Sequence, residues 1–295
     1  MDRRDFLKFL AVGVASSLIK PDPLKALTSL QQKKPVISVV HGENIELAVR
    51  RAVELIGGMN SFVAKGDVVF VKPNMSWDRI PAQAATTNPE VVSTIIKMAL
   101  EAGAKKVIVA DNTCNDARRS YTRSGIKEAA EKAGAKVYYT EERKFVKTNL
   151  KGEVIGEWPV YREALEADKI INIPIAKHHG LTRVTLSMKN LMGLIGGKRN
   201  RLHQNIDHSI VDLTAFFKPV LTILDSVRVL KANGPQGGSL KDVEVRNTIA
   251  ASKDPVRIDA LGASIFGIKP EELKFLQIAE SRGLGSTDFK GTGYS

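Results

Sequence analysis

The residues best suited to chemistry crowd into one stretch, KHHGLTRVTLSMKNLMGLIGGKRNRLHQNIDH, from Lys177 to His208. It holds four of the chain's five histidines, six Lys or Arg residues and one acid, Asp207. Histidine titrates near neutral pH and suits general acid–base work. Lysines and arginines with few carboxylates among them suit an anion. Three chemistries fit the pattern. The first is an anion or cofactor pocket: Lys72, Lys177 and Lys189 neutralise a phosphate or carboxylate, Asn74 and Asn190 donate hydrogen bonds, and Asp111, at a strand end, joins them as a cofactor-binding candidate. In that scheme His179 and His203 move protons, and Asp225 orients one of them. The second is a metal site, completed by Asp207 or Asp225. His178 and His179 point to opposite faces of an extended segment, so only one of them serves. His203 and His208 are five apart, not the i, i+4 of a helical pair, and the nearby lysines oppose a cation. The third is a polyanion surface on Lys198-Arg199-x-Arg201. No aromatics stack there and aromatics are 6% of the chain, so nucleic acid is not an expected partner.

Smaller features border the same chemistry. Cys114 lies in DNTCND, just past a strand end, where a thiol is either a nucleophile or an ordinary loop residue. GLIGG (193–197) brings backbone close to a ligand or is a plain turn. Asn233-Gly234-Pro235 with Gly237-Gly238 reads as a loop at a pocket rim. Met188 and Met192, four apart, read as helix core.

These residues need elements to position them, and the chain supplies an alternating pattern. VISVV (36–40), DVVFV (67–71), KVIVA (106–110), KVYYT (136–140), KIINIP (169–174), PVLTIL (219–224) and VRNTIAAS (245–252) read as strands. Between them lie helices at 44–58, opened by Asn44 and closed by Gly57-Gly58, at 88–102 with Pro89 in its first turn, and near 124–133. Asp254-Pro255 opens a helix through Phe266, and a last helix starts near Pro270. Residues 145–160 alternate around Lys151-Gly152 and predict a hairpin insertion. Strands alternating with helices predict a three-layer, Rossmann-like α/β fold, a mainly parallel sheet with helices on both faces. Ligands of such sheets bind beyond the carboxyl ends of the strands. That rule selects Lys72 and Asn74, Asp111 and Asn112, Lys177 and His179, and Asp225.

The chain has 295 residues, 43% apolar, and a net charge of +12. Residues 1–34 carry seven Lys or Arg against three Asp, so about +8 stays on the body, residues 35–295, read as one α/β domain. One cysteine excludes an internal disulfide and a Cys-ligated iron–sulfur cluster within this chain. The first residues, MDRRDFLKFLAVGVASSLIK, resemble a twin-arginine export signal: Arg3-Arg4-Asp5-Phe6-Leu7-Lys8 ahead of an apolar run, Phe9 to Ile19. That run is short of the roughly 20 apolar residues of a membrane span. The expectation is export to the periplasm or another extracytoplasmic space. No clean A-x-A site follows, so an uncleaved leader would touch the membrane surface. Absent motifs also shape the reading. There is no G-x-G-x-x-G after the first strand, no Walker A spacing, no H-E-x-x-H and no G-x-S-x-G.

VKPNM (71–75), KHHGLTRVTLSMKNLMGLIGG (177–197), Arg201 with His203, ILDSVRVLKANGPQGG (223–238) and ASKDPVRIDALGA (251–263) together resemble the domain of unknown function 362 family, over about residues 36–285. Many members of that family carry a ferredoxin-like cluster domain. This chain lacks the cysteine quartet, so the resemblance implies either another cofactor or a separate ferredoxin-like redox partner. The Lys-Pro-Asn and histidine arrangement is also faintly similar to lactate racemase and its relatives, which use a nickel pincer cofactor. The sequence thus predicts an exported protein that binds an anionic small molecule or cofactor in a Lys/His-rich pocket. It acts there as an enzyme, an oxidoreductase among the candidates, or as a non-catalytic binding protein of the cell envelope.

Overall fold

The computed structural model describes residues 36–290 and the backbone of Gly293–Tyr294. The leader, with its twin-arginine-like motif, lies outside the described residues. Among the described residues no helix is long and apolar enough to cross a membrane.

A mixed, mainly parallel sheet organises the chain. Its order is β12 (Gly293–Tyr294), β1 (Ile37–His41), β11 (Val243–Ser252), β10 (Leu221–Leu230), β7 (Lys169–Ile173), β2 (Val68–Pro73), β3 (Lys106–Val109), β4 (Lys136–Val137). From β10 to β4 every pairing is parallel, whereas β11 runs antiparallel to both its neighbours. β8 (Ile175–His179) branches off to pair with β10 and with β9 (Arg183–Thr185). The expected hairpin is a separate two-stranded sheet, β5 (Phe145–Asn149) with β6 (Glu157–Tyr161).

Side-chain alternation explains the layers. In β2, Val69 and Val71 join one apolar cluster while Phe70 joins another on the opposite face. Both faces are buried, so the strand reads as a continuous apolar run. Helices α1 (Ile45–Leu55), α2 (Pro89–Glu101), α3 (Ala117–Arg123) and α4 (Ile126–Lys132) feed the first cluster. On the other side lie α5 (Arg162–Leu165), α6 (Ser187–Asn190), α7 (Ile206–Phe217), α8 (Pro255–Ser264) and α9 (Lys274–Ser281). The caps are those the sequence predicts. Asn44 Oδ1 accepts from Leu47 N–H, Asn88 Oδ1 from Glu90 N–H, and Asp254 Oδ1 from Val256 and Arg257 N–H.

Three of the predicted elements differ from expectation. The helix near 124–133 is preceded by a second, α3, and the two are separated by Gly125 in left-handed conformation (φ 72°). The strand at 136–140 keeps ladder pairing only over Lys136–Val137, at the sheet edge. The strand expected to stop before Asp225 runs on to Leu230, because β11 pairs along it past an irregularity between Ser226 and Arg228. Asp225 therefore sits inside a strand rather than at its end.

Candidate functional site

The carboxyl ends of β2, β3 and β7 deliver Lys72, Asp111 and Asn172 to one place. Lys72 Nζ lies 2.9 Å from Asp111 Oδ1 and donates to the Pro73 carbonyl (2.6 Å) and Asn190 Oδ1 (3.2 Å). Asp111 Oδ2 accepts from Met75 N–H at 2.6 Å. The Tyr121 hydroxyl accepts from Asp111 N–H and donates back to the Asp111 carbonyl. Lys72 and Asp111 are both fully buried. Burial pulls the Lys72 ammonium below its usual range and the Asp111 carboxylate opposes it. Gly193 explains how the pair stays covered, since a Cβ there would collide with Asp111 Oδ1 and Lys72 Cε.

Above this pair runs an amide network. Asn190 Nδ2 donates to the Lys72 carbonyl (3.1 Å) and to Asn172 Oδ1 (2.8 Å). Asn190 Oδ1 accepts from Asn74 Nδ2 (3.0 Å), and Asn74 Oδ1 accepts from Lys177 Nζ (3.1 Å). Lys177 Nζ also donates to the Ala85 carbonyl at 2.6 Å. The short helix α6, which presents Lys189 and Asn190, is held from behind. Asp259 on α8 accepts from Ser187 N–H (2.6 Å) and Met188 N–H (3.0 Å), and Asn172 Nδ2 donates to Ser187 O and Oγ. Each amide has its partners, which fixes its orientation.

The network floors a cavity of about 480 Å³ whose lining comes mostly from the Lys177–His208 stretch. Lys177, Lys189, Lys198, Arg199, His179 and His203 line it, with Asn74, Asn190 and Cys114. Among the described residues no Asp or Glu lines it. The Arg199 guanidinium donates only to backbone carbonyls, those of Asn112 (2.7 Å), Thr113 (3.0 Å) and Met192 (3.3 Å). Lys189 Nζ has one neighbour at bonding distance, Met192 Sδ at 3.5 Å, and a thioether is a weak acceptor. Burial pushes Lys177 down to about 7 and Lys189 down to about 8, with Cys114 opposing in both cases.

The two histidines at the cavity hold opposite tautomers. His179 Nδ1 accepts from Leu181 N–H (3.1 Å) and Thr182 N–H (3.3 Å), so its neutral ring carries the hydrogen on Nε2. Burial, then Lys189 and Lys177, pushes this imidazole down to about 3. It is a fixed donor at neutral pH. His203 Nδ1 lies 3.3 Å from the Asn200 carbonyl, which can only accept, so Nδ1 holds the hydrogen and Nε2 offers a lone pair. Burial followed by the charge of Lys189 lowers the His203 ring as well. His178 faces elsewhere, its Nδ1 accepting from Gly234 N–H at 3.1 Å.

The structure therefore brings together Asn74, Lys177, His179, Lys189, Asn190 and His203 on the cavity, and sets Lys72 and Asp111 directly beneath. It does not bring Asp225. That carboxylate accepts from Asn88 N–H (2.7 Å) and Val227 N–H (3.0 Å), fully buried, and bonds to neither histidine. The orienting role expected of it fails on position, because its strand continues and its oxygens close a helix entry and a strand irregularity. His208 pairs instead with Glu153 (3.3 Å). No group of three or more His, Cys, Asp or Glu placed to hold a metal occurs among the described residues. Met188 is core, as expected, while Met192 lines the cavity. Sequence reasoning missed Asn172, Tyr121, Asp259 and the site role of Arg199. Asn172 was signalled by its place at a strand's carboxyl end, and Asp259 by its acid in an otherwise apolar helix face.

A mainly parallel α/β sheet with a cation-lined cavity at its strand ends defines the class. Within it, this chain belongs to the domain of unknown function family DUF362, whose model matches residues 69–264. It is 27% identical over 248 residues to the thylakoid-associated protein sll1697 of Synechocystis, covering 81% of this chain and 75% of that protein. Among solved structures it is similar to the lactate racemase apoprotein of Thermoanaerobacterium thermosaccharolyticum, at 12% identity and TM-score 0.48, over 80% of this chain and 58% of that one. It is also similar to a Thermotoga maritima protein at 15% identity and TM-score 0.42, over 77% of this chain and 60% of that one. The chain thus spans about three fifths of each of these solved chains.

Proposed function

We propose that this protein binds a small organic anion in the cation-lined cavity and moves a proton on it. One observation carries the reading: a cavity of about 480 Å³ lined, among the described residues, by four Lys or Arg side chains and by no carboxylate. A site of that volume suits a small molecule. Cations left without counterions at a cavity wall are complementary to a carboxylate or phosphate. The opposite tautomers of His179 and His203 supply the second half: one ring offers a hydrogen from Nε2 and the other a lone pair at Nε2. A donor beside a base is the pairing that general acid–base chemistry uses. The twin-arginine-like leader supports work outside the cytoplasm, and the name of the thylakoid-associated relative supports a place near a membrane.

The test is calorimetric titration of the full chain with a panel of mono- and dicarboxylates, inorganic phosphate and sugar phosphates. One class should bind, and Lys189→Met should weaken it at least about tenfold, a 1.4 kcal/mol effect. Hydrogen exchange from deuterated water into the bound ligand's C–H positions, followed by NMR, reads proton movement. His203→Gln should abolish exchange and keep binding. If binding survives in wild type without exchange, the protein is a carrier. If no member of the panel binds, the anion reading is wrong.

A further inference from the structure

Among the described residues, Lys189 is the buried lysine at the cavity whose nitrogen meets no oxygen acceptor. Lys177 Nζ is engaged by Asn74 Oδ1 and the Ala85 carbonyl, and Lys72 Nζ by Asp111, Pro73 and Asn190. Lys189 is buried to 9% exposure, lines the cavity, and meets only the Met192 thioether. An ammonium placed for structure alone would take oxygen acceptors, as its two neighbours do.

We propose that Lys189 is an imine-forming nucleophile whose substrate is a small 2-oxo acid. The proposal rests on the anion-pocket reading above and adds a covalent step to it. Arg199, Lys177 and Lys198 are the groups available to hold the carboxylate, and the adjacent carbonyl carbon then faces Nζ. The neutral amine's lone pair attacks that carbon and the C=O electrons move to oxygen, which takes a proton to give a carbinolamine. The C–O bond then breaks and water leaves, giving a protonated imine. Counting from the ammonium, two of its hydrogens depart in the water and the positive charge remains on nitrogen, so no further reactant is required. The His203 Nε2 lone pair receives the proton shed by the ammonium and returns it to the leaving oxygen, and the His179 Nε2 hydrogen steadies that oxygen. Lys189, His179 and His203 line the same cavity, which places all three groups in one site. A desolvated lysine near other cations is the usual setting for such a nucleophile, since burial leaves a usable fraction of neutral amine.

The iminium is an electron sink that acidifies the neighbouring C–H, which gives the proposed proton transfer a chemical purpose.

The experiment is reductive trapping. The full chain is incubated with pyruvate or 2-oxoglutarate and sodium cyanoborohydride, digested, and mapped by mass spectrometry. Propionate and glutarate serve as carbonyl-free controls, and calorimetry on the same samples reads binding. The expected result is one reduced adduct on the Lys189 peptide, blocked by excess glutarate or propionate and lost in Lys189→Arg. That variant keeps the charge and should keep binding. Glutarate or propionate protection stands as a test even if the variant misfolds. An oxo acid that binds but leaves no adduct, or one on Lys177 or spread over surface lysines, overturns the imine and leaves the anion pocket standing. Absence of both binding and adduct overturns the two together.

Discussion

Two buried lysines at the same end of the same sheet have opposite surroundings. Lys72 has a carboxylate at 2.9 Å and two further oxygen acceptors. Lys189 has a sulfur at 3.5 Å and an open cavity. The first is part of the fold, because a buried ion pair, even where desolvation outweighs the attraction, is costly to break by removing one partner. The second is a standing cost of desolvated charge that only a ligand offsets. A lysine count treats the two as equals, and their partners separate them.

The largest effect should come from breaking the paired lysine. Asp111→Ala leaves the Lys72 ammonium buried without its carboxylate, and a loss of about 3–5 kcal/mol is expected in guanidinium denaturation. Lys72→Met should lose a similar amount by stranding Asp111. Lys189→Met should do the reverse, holding stability or raising it by about 1 kcal/mol while anion binding falls. If Lys189→Met destabilises as much as Lys72→Met, the contrast collapses and Lys189 is structural.

Asp225 sharpens the comparison from the acid side. It too is buried without a counterion, but its oxygens are closed by two peptide N–H groups rather than left facing a cavity. Burial raises it to about 6, against the pull of the Asn88 and Val227 bonds. The folded carboxyl therefore holds its proton more tightly than the unfolded one. Its contribution to stability is present at acid pH and lost as pH rises from about 4 through about 6, amounting to roughly 2–3 kcal/mol. Asp225→Asn should flatten that part of a stability–pH curve measured by urea denaturation and leave ligand affinity unchanged. A fall in affinity would return Asp225 to the site.

Much of this was legible in the residues. The alternation of apolar runs with helices, and the caps at Asn44, Asn88 and Asp254, follow local rules that tertiary packing left intact. The strand-end rule led to Lys72, Asn74 and Asp111, because a parallel sheet sends those positions to one edge, whereas Lys177 and His179 reach the cavity from β8, a strand the sequence did not suggest. It misplaced Asp225, because the extent of β10 is set by pairing with β11, a contact the strand's own sequence does not encode. Asp259 was hidden for a related reason: it supports the Lys189 turn from a helix some 70 residues later, and only the folded chain joins them. Tautomers were beyond reach too, since each depends on which backbone group faces Nδ1.

The smallest effect is the most specific to the open lysine. Lys189 at about 8 and Lys177 at about 7 are partly neutral in slightly alkaline solution, burial being the cause in both. A bound anion favours the ammonium form, so binding should draw protons from solution. The uptake should be roughly half a proton or more per ligand near pH 8 and vanish below about pH 6, where both amines are already charged. Calorimetric titration in buffers of different ionisation enthalpy measures it directly. Lys189→Met should remove the part centred near pH 8 and leave the part due to Lys177. Asp111→Asn, if it folds, alters the floor of the site and should leave the alkaline uptake in place. Proton release on binding would mean that the ligand favours the neutral amines and drives part of the ammonium population to that form. The unpaired lysine would then be a hydrogen-bonding group rather than a charge held in wait.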